Sequence, residues 1–404
     1  MPLPVETRLE IKELELKSLL ETIRAINSNA PEKDLYKIFK FIIRSNRNIA
    51  KLAMYVYDEV WECKTHFGTE TNFPGIPLDS AILDITEAAN LPSPIPHFEE
   101  FEKIIPVKHK DTVLAYVFIS SSEEVEDEDV LDLDFIEALS NIIIVAIENK
   151  KLARKELKQK QYRRQLEIAK DVQTLLFPKV LPYDEKLKIE ASYLPHHTIG
   201  GDYYDYIKID EDSFLICIAD VSGKGVPAAI LMSNFQASLR ILSTQGLPME
   251  TVVEKLNHLI IQNSDGENFI TAFFALYNYK TNELTFINAG HNPPFMYVNG
   301  KMSRLETGTT ILGGFNELPF LEKESRIIKE DFFIFCFTDG FTETYNEADE
   351  EFGDAPLEIF LAKSIDTDQK ELHVELINEL NTYKGENAYA DDITLLSCKV
   401  SPKA

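Results

Sequence analysis

Apolar residues recur with two different periods along the first part of the chain. Over residues 6–27 they fall on two lines at heptad spacing, which predicts a helix that joins a bundle. The first line holds Leu9, Leu16 and Ile23, and the second holds Leu19 and Ile26. Residues 34–45 then predict another helix, and residues 51–60 predict a strand that is largely apolar.

Residues 103–121 contain two apolar runs that are joined by a charged turn at Lys110 and Asp111. This pattern is typical of a hairpin. A long helix is predicted from Asp134 to about Leu176, and its second half is densely charged. Residues 31–150 therefore predict a small α/β domain, which follows an amino-terminal dimerisation helix over residues 1–30 and precedes a helical linker over residues 151–182.

Residues 183–404 alternate short apolar strands with helices, and we expect them to form a separate α+β domain. Amphipathic helices are predicted over residues 227–242 and 249–262, and a hairpin over residues 268–295. The Asn299-Gly300 pair between two short apolar runs is typical of a tight hairpin turn.

Composition and charge narrow the function classes. The chain has 404 residues, 44% of them apolar, a length that suggests two domains. Its net charge of −26 argues against a nucleic-acid partner, because phosphate backbones would be repelled. The acidic run over residues 120–134 is interpreted as a solvated loop. No run is long enough for a membrane span, no signal segment is visible, and the four cysteines are scattered, so we expect a cytoplasmic protein without membrane attachment.

Aspartates stand at the ends of apolar runs in four segments of the second domain. They are Asp202 after Gly200-Gly201, Asp220 in FLICIADVSGKG, Asp339 before Gly340, and the pair Asp391-Asp392 in AYADDIT. A buried carboxylate needs a cation, and these runs supply no basic partner inside the strand. Any one of these residues could be a turn or cap residue. Four together favour a binuclear centre for Mn²⁺ or Mg²⁺, the hard ions that prefer oxygen ligands.

The ordered motifs GGDYYD, ADVSGKGVPAAILM, NAGHNPP, FTDGFTE and ADDIT resemble the metal-dependent (PPM) protein serine/threonine phosphatases, in the bacterial branch typified by the stage II sporulation protein E. The resemblance covers residues 183–400. It implies a four-layer α-β-β-α sandwich, in which two antiparallel sheets pack face to face with helices outside each. The hairpin and the helix ending LSNIIIVAIENKKL resemble a GAF-type sensory domain. A dimerisation module without a pocket is an equally open interpretation of that part.

The resemblance also implies roles for individual residues. Asp220 would bridge two metal ions, the Val221 carbonyl and Asp202 would complete one site, and Asp339 and Asp391 would hold the other ion. Asp392 would support the ligands. The positive end of the helix that begins near Pro227, next to Gly223 and Lys224, would favour the phosphate, and Lys224 is open to two interpretations, a phosphate-binding residue or a solvated lysine. A water activated by two metals would then attack the phosphorus in line.

Other interpretations of the same residues are less well supported. SGKG lacks the spacing of a P-loop. His291 is interpreted as ordering a turn more readily than as a ligand, and no spacing supports His196 and His197 as ligands. No arginine can be assigned to grip the phosphate. A catalytically weak signalling scaffold is the main alternative, and a small-molecule hydrolase built on the first domain is the third.

The expected partners follow from the same resemblance. The substrate would be a phosphoserine- or phosphothreonine-bearing protein, typically an antagonist of an anti-sigma factor. A small molecule or a protein could signal through the first domain. The heptad lines predict a parallel homodimer, in which a weak linker seam with Leu139, Ala146 and Ala153 in sevenfold register changes its packing and so repositions Asp220.

Overall fold

A computed structural model describes residues 5–45, 48–91, 95–110, 112–121, 133–264 and 268–402 of the chain. The chain divides into two compact units, Met1–Lys160 and Gln161–Ala404. Asp111 of the predicted turn, and most of the acidic run over residues 120–134, lie outside the described residues. Within the described ranges, no helix combines the length and apolar character needed to cross a membrane.

The first unit combines helices with one antiparallel sheet, in agreement with the mixture of helices and strands that the hydrophobic pattern predicted. Its helices are α1 (Val5–Asn27), α2 (Glu32–Ser45), α3 (Ser80–Leu83) and the first part of α4 (Leu133–Thr174). Its strands are β1 (Ile49–Asp58), β2 (Val60–Phe67), β3 (Ala89–Asn90), β4 (Lys103–His109) and β5 (Thr112–Ser121). The strand order across the sheet is β2-β1-β5-β4-β3.

The two faces of this sheet bury different kinds of side chain, because successive residues of a strand point to opposite faces. Leu52 and Met54 of β1 pack with helices α2 and α4. Ala53 and Tyr55 face the other way, into a cluster built mainly of aromatic rings. The two heptad lines of α1 also differ. Leu19 and Ile26 of the second line pack against the core. The three residues of the first line are exposed: Leu9, Leu16 and Ile23.

The second unit contains two sheets and their outer helices. Its helices are the end of α4, then α5 (Val226–Ser243), α6 (Met249–Ser264), α7 (Asp339–Thr342), α8 (Asp354–Lys363) and α9 (Gln369–Lys384). Its strands are β6 (Leu187–Leu194), β7 (Tyr203–Lys208), β8 (Ser213–Val221), β9 (Ile270–Asn278), β10 (Glu283–Ala289), β11 (Phe295–Val298), β12 (Lys301–Arg304), β13 (Gly308–Thr309), β14 (Glu324–Ile327), β15 (Phe332–Phe337) and β16 (Ile393–Val400).

The strands form two sheets. One runs in the order β13-β10-β9-β8-β7, with β14 also paired to β10, and the other in the order β12-β11-β15-β16-β6. The pairings are antiparallel except for β10 with β13. The predicted Asn299-Gly300 turn joins β11 to β12, and both residues have positive φ, as a tight hairpin turn requires.

Strand β8 shows how the layers are held together. Its alternate residues Leu215 and Cys217 pack against helices α5 and α6. Ile216 and Ile218 point the other way and meet residues of β15 and β16 in the core between the sheets. Residues on the outer face of the second sheet pack against α8 and α9. The four-layer α-β-β-α sandwich predicted from the sequence is therefore confirmed.

Candidate metal centre

Asp202 lies at the start of β7 and is almost completely buried, with 1% of its surface exposed. One carboxylate oxygen, Oδ2, accepts hydrogen bonds from the Thr338 hydroxyl at 2.8 Å and from the Thr394 hydroxyl at 2.6 Å. Burial and the nearby charge of Asp220 raise the pKa of Asp202 well above its usual value. The two hydroxyls fix the orientation of this carboxylate from the opposite sheet.

Asp220 is the next-to-last residue of β8. Burial, followed by the negative charges of Asp339 and Asp391, raises the pKa of Asp220 to about 7. A hydrogen bond with Asp202 acts in the opposite direction. The Val221 carbonyl oxygen, which the sequence predicted as a ligand, closely approaches Gly201. A Cβ atom on that glycine would lie only 2.7 Å from the oxygen, so a larger residue would push the two segments apart.

Asp339 and Asp391 lie at the ends of neighbouring strands of the second sheet. Asp339 begins the short helix after β15, and burial together with the charge of Asp391 raises its pKa. Asp391 forms an ion pair with Lys224, whose Nζ lies 2.8 Å from Oδ2. The charge of Lys224 lowers the pKa of Asp339 in turn. Lys224 therefore lies beside these carboxylates and interacts with two of them.

Asp392 supports the segment that carries Asp202. Its two carboxylate oxygens accept hydrogen bonds from the backbone N–H groups of His196 and Gly201, each at 2.7 Å. A side chain on Gly200 would overlap this carboxylate, and one on Gly340 would overlap the Asp392 carbonyl oxygen. These glycines let the Asp202 segment and the Asp339 turn close around Asp392.

The SGKG segment and helix α5 close another side of the cluster. Gly223 and Gly225 have φ values of +90° and +74°, a conformation that L side chains rarely adopt. Gly225 is the N-cap residue of α5 and, as a glycine, provides no side-chain capping bond. The Ala228 methyl group would lie 3.5 Å from a Cβ atom on Gly201. The positive end of α5 therefore lies beside the Asp202 segment, where it favours an anion.

The predicted carboxylates are near neighbours of Asp220. At this short range the charges of Asp339, Asp391 and Asp392 all raise the pKa of Asp220. In the part of the chain that the structure describes, however, no three His, Cys, Asp or Glu side chains are arranged as ligands of one ion. Two of the predicted ligands are engaged elsewhere, Asp202 with hydroxyls and Asp391 with Lys224. The donor set fits a hard divalent cation in type, and a bound ion would relieve the repulsion between the carboxylates.

Sequence reasoning missed the residues that hold the ligands in place. Thr338 and Thr394 are fully buried, and the signal available in the sequence was a threonine at the end of the apolar run FFIFCFT and another in the run ITLL. Gln173, near the end of α4, is also buried and donates from Nε2 to the Gly200 carbonyl oxygen at 2.8 Å. Gln236 of α5 donates to the Leu176 carbonyl oxygen at 3.2 Å. The last residues of the linker therefore contact both the Asp202 segment and α5.

The histidines near the sequence motifs take structural positions. His291 is buried, its Nδ1 lies 2.9 Å from the Thr271 hydroxyl, and its backbone N–H donates to the Asn288 side chain. Burial lowers the pKa of His291 to about 4, so the ring is neutral at physiological pH. The rings of His196 and His197 lie 4.3 Å apart, and His196 contacts Asp392 through its backbone N–H.

Two arginines of this unit are bound within the fold. Arg240 makes a two-pronged ion pair with the buried Asp205, at 2.7 and 2.9 Å. Arg304 stacks on the Phe295 ring and pairs with Asp354 at 2.7 Å. Neither contact leads to the carboxylate cluster, so these two residues do not supply the phosphate-gripping arginine for which the sequence offered no candidate.

Comparisons with known proteins agree with this architecture. Residues 210–401 match the family described as stage II sporulation protein E (SpoIIE). The chain is 35% identical over 191 residues to the phosphoserine phosphatase RsbU of Bacillus subtilis (strain 168), covering 47% of this chain and 56% of the relative. It is 28% identical over 184 residues to the phosphoserine phosphatase RsbP of the same organism, covering 44% and 45%. The chain thus spans about half the length of these curated relatives.

A solved structure extends the comparison to the fold. The SiaA-PP2C domain of Pseudomonas aeruginosa matches with a TM-score of 0.53 at 20% identity, covering 59% of this chain and 97% of that domain. At this level of identity the similarity concerns the fold. The family match begins at residue 210, so it includes Asp220, Asp339 and Asp391 but not Asp202, which the structure brings beside Asp220.

Proposed function

We propose that the chain is a metal-dependent protein serine/threonine phosphatase, because residues 210–401 match the SpoIIE family and the similar RsbU is named a phosphoserine phosphatase. The observation that carries the proposal is the group of mutually repelling carboxylates at the strand ends. Burial, together with the charges of neighbouring carboxylates, raises the pKa values of Asp202, Asp220 and Asp339. Such an arrangement costs stability unless a cation compensates it, and sites of this kind are commonly functional.

The proposed centre would hold two Mn²⁺ or Mg²⁺ ions, and Asp220 would contact both. Asp202 and the Val221 carbonyl would complete the ligands of one ion, and Asp339 and Asp391 would hold the other. When bound, such ions supply Lewis acidity and an activated water for attack on phosphorus. The residues of the chain then position the reactants.

Several groups around the ligands would do this positioning. Thr338 and Thr394 orient the Asp202 carboxylate, and Asp392 fixes the loop before it. The amino-terminal end of α5 would favour the phosphate dianion by its dipole. This division of labour requires no nucleophilic side chain.

The proposed substrate is phosphoserine or phosphothreonine in a protein. The similar Bacillus proteins RsbU and RsbP are named phosphoserine phosphatases, which supports this class. We propose an anti-sigma factor antagonist as the partner. The buried cysteines do not provide the alternative chemistry of phosphotyrosine phosphatases, because burial raises the pKa of the Cys217 and Cys336 thiols and disfavours the thiolate nucleophile.

The full chain with an aryl phosphate tests the activity directly. We expect phosphate release with Mn²⁺ or Mg²⁺ and its loss on chelation, with recovery when the metal is returned. Turnover that survives complete chelation would contradict the metal mechanism, and absence of turnover under every metal condition would favour the scaffold alternative. A parallel assay with phosphoserine protein and phosphotyrosine peptide sets the substrate class, and exclusive cleavage of phosphotyrosine would overturn it.

The first unit is proposed to be a GAF-like sensory domain that regulates the phosphatase as part of a parallel homodimer. The exposed heptad line of α1 supports a helical partner, because three apolar residues at this spacing face solvent in the single chain. The linker end is suited to transmit a change, since Gln173 contacts the Asp202 segment and Leu176 contacts α5. The mass in solution and the kcat of the full chain should therefore differ from those of a chain that begins at Ile168. Equal values would make the linker a passive tether.

A further inference from the structure

Lys224 is the positively charged partner of the carboxylate cluster in the structure. Its ammonium group pairs with Asp391 at 2.8 Å and donates a hydrogen bond to the Ala390 carbonyl oxygen at 2.9 Å. The proposed function assigns the same Asp391 carboxylate to a metal ion. An ammonium group and a divalent cation repel each other, so both cannot remain close to one carboxylate at low energetic cost.

We propose that Lys224 is an exchangeable counter-ion. It neutralises Asp391 while the centre is free of metal, leaves when a divalent ion binds, and then binds the substrate phosphate. This inference rests on the proposed function and deepens it, because it names a side chain that binds the phosphate. Arg240 and Arg304 do not have that role, since they are paired elsewhere in the fold. Metal binding and phosphate binding would thereby be coupled through one side chain.

The local structure allows the exchange. Lys224 lies between Gly223 and Gly225, which both have positive φ, so the backbone on either side has no Cβ atom to hinder movement. The side chains of Lys224 and Asp391 are about half exposed, at 47% and 44%. The ammonium group can therefore leave the carboxylate for water without breaking into the core.

The position of Lys224 also suits the second step. Helix α5 begins two residues later at Val226, and its positively polarised amino-terminal end, which favours anions, lies beside the Asp202 segment. A lysine ammonium group on a flexible stem adds a point charge to such a site without a fixed geometry. Both features act on the same anion, which would sit between the helix end and the metal ligands.

The size of the effect follows from the exposure of the pair. Exposed ion pairs contribute little, so losing the Lys224 competitor should strengthen metal binding only about two- to fivefold. The effect on phosphate has the opposite sign, because a charged hydrogen-bond donor is lost. Opposite changes in two affinities are a signature that a purely structural lysine would not produce.

The test uses the full chain, its Lys224→Gln variant and a matched control, Lys280→Gln. Lys280 is also an exposed lysine paired with an aspartate, Asp212, at 3.2 Å. Calorimetry first gives the Kd for Mn²⁺ on the metal-free proteins, and then the Kd for inorganic phosphate on the Mn²⁺-saturated proteins. We expect Lys224→Gln to bind Mn²⁺ about two- to fivefold more tightly and phosphate several-fold more weakly, with both constants unchanged in Lys280→Gln.

Each other outcome decides against the exchange. Unchanged or weaker Mn²⁺ binding by Lys224→Gln would show that the lysine is no competitor for the metal. Tighter Mn²⁺ binding with unchanged phosphate binding would show that the lysine does not move on to the anion. If the unsubstituted chain bound no Mn²⁺ at all, the proposed metal-dependent function would fail, and this inference with it, whereas the first two results leave that function intact.

Discussion

The two units of the chain bury very different groups beside their sheets. One face of the first unit's sheet is covered by aromatic rings, including Tyr55, Phe98 and Phe118, all fully buried and in contact with one another. The strand ends of the second unit bring together carboxylates, of which Asp202 is almost fully buried. The first region gains stability from the apolar surface that it buries, whereas the second brings together carboxylates whose mutual repulsion costs stability.

The aromatic rings of the first unit serve packing, whereas the carboxylates of the second unit are suited to chemistry. In the aromatic cluster, the space beside the sheet is occupied by the side chains themselves, and Phe98 and Phe118 lie 4.6 Å apart between ring centroids. In the second unit, the carboxylates lie at the ends of strands, beside glycines and turns. Substitutions in the two regions should therefore change different properties.

The largest expected effect is on the stability of the first unit. Phe118→Ala should lower its free energy of unfolding by about 3–5 kcal/mol, because it removes a fully buried ring and leaves a cavity. Urea unfolding followed by the fluorescence of Trp61, the single tryptophan of the chain and a neighbour of the cluster, measures it. Phe41→Ala is the control, since Phe41 is 73% exposed and its removal should cost less than about 0.5 kcal/mol. Equal losses in the two variants would contradict the packing role.

Asp220→Asn should lower activity and not stability, the opposite of what is expected for Phe118→Ala. We expect phosphatase activity to fall more than about 100-fold, beyond the usual cost of losing an outer partner of a metal ligand. The variant should also melt at a higher temperature than the unsubstituted chain in the presence of a chelator, because a repelling buried charge is gone. Asp202→Asn should lose less activity, since Asp202 is proposed to contact one ion.

The control for Asp220→Asn is Asp210→Asn, an exposed aspartate in the turn between β7 and β8. It should change neither activity nor melting temperature appreciably. A folded Asp220→Asn protein with full turnover at saturating Mn²⁺ would refute the assignment of Asp220 as a ligand.

Asp392→Asn tests the supporting contacts and should have an intermediate effect. Its carboxylate accepts two backbone hydrogen bonds, and an amide can accept at only one of these positions. We expect Mn²⁺ affinity to fall about tenfold, as for loss of an outer partner of a metal site. Calorimetry on the purified variant measures this, and an unchanged Kd would mean that the Asp202 segment is held without Asp392.

The effect that is smallest at neutral pH comes from the titration of a buried ionisable group outside the cluster. His373 of α9 lies between the Ser192 and Ser397 hydroxyls at 3.0 and 2.9 Å, and burial lowers its pKa to about 4. Below about pH 6.5 the unfolded chain takes up a proton that the folded chain refuses, so stability should fall as the pH decreases from about 6.5 towards 4. At about pH 5 this single group accounts for about 2 kcal/mol.

His373→Gln should remove that contribution, so the loss of stability between about pH 7 and pH 5 becomes smaller than in the unsubstituted chain. Urea midpoints followed by circular dichroism at both pH values give the comparison. The substitution also alters two hydroxyl contacts, which lowers stability equally at each pH, so only the difference between the two pH values bears on the titration. An identical pH dependence in both proteins would show that His373 is not the responsible group.

Much of the fold could be predicted because the hydrophobic pattern is local. Helices α1, α2, α5 and α6 and the hairpins β4–β5 and β11–β12 lie where their periodicity and turn residues predicted them. Helix α9 was missed although Leu372, Leu376 and Leu380 follow helical spacing, because its remaining residues are mostly polar and dilute the signal. The two-residue strand β13 carried no signal of its own, since it is defined by its pairing with β10.

By itself, the sequence determined which residue types stand at the strand ends, and so the kind of chemistry they could perform. Aspartates beside glycines, without soft ligands, are enough to indicate a hard divalent ion. Only the tertiary structure decided what surrounds them. Thr338 and Thr394 contact Asp202, although they are 136 and 192 positions away from it in the sequence. Lys224 and Asp391 form an ion pair across a separation of 167 positions. Such contacts depend on how the two sheets pack, a cooperative property of the whole core that no local pattern of residues encodes.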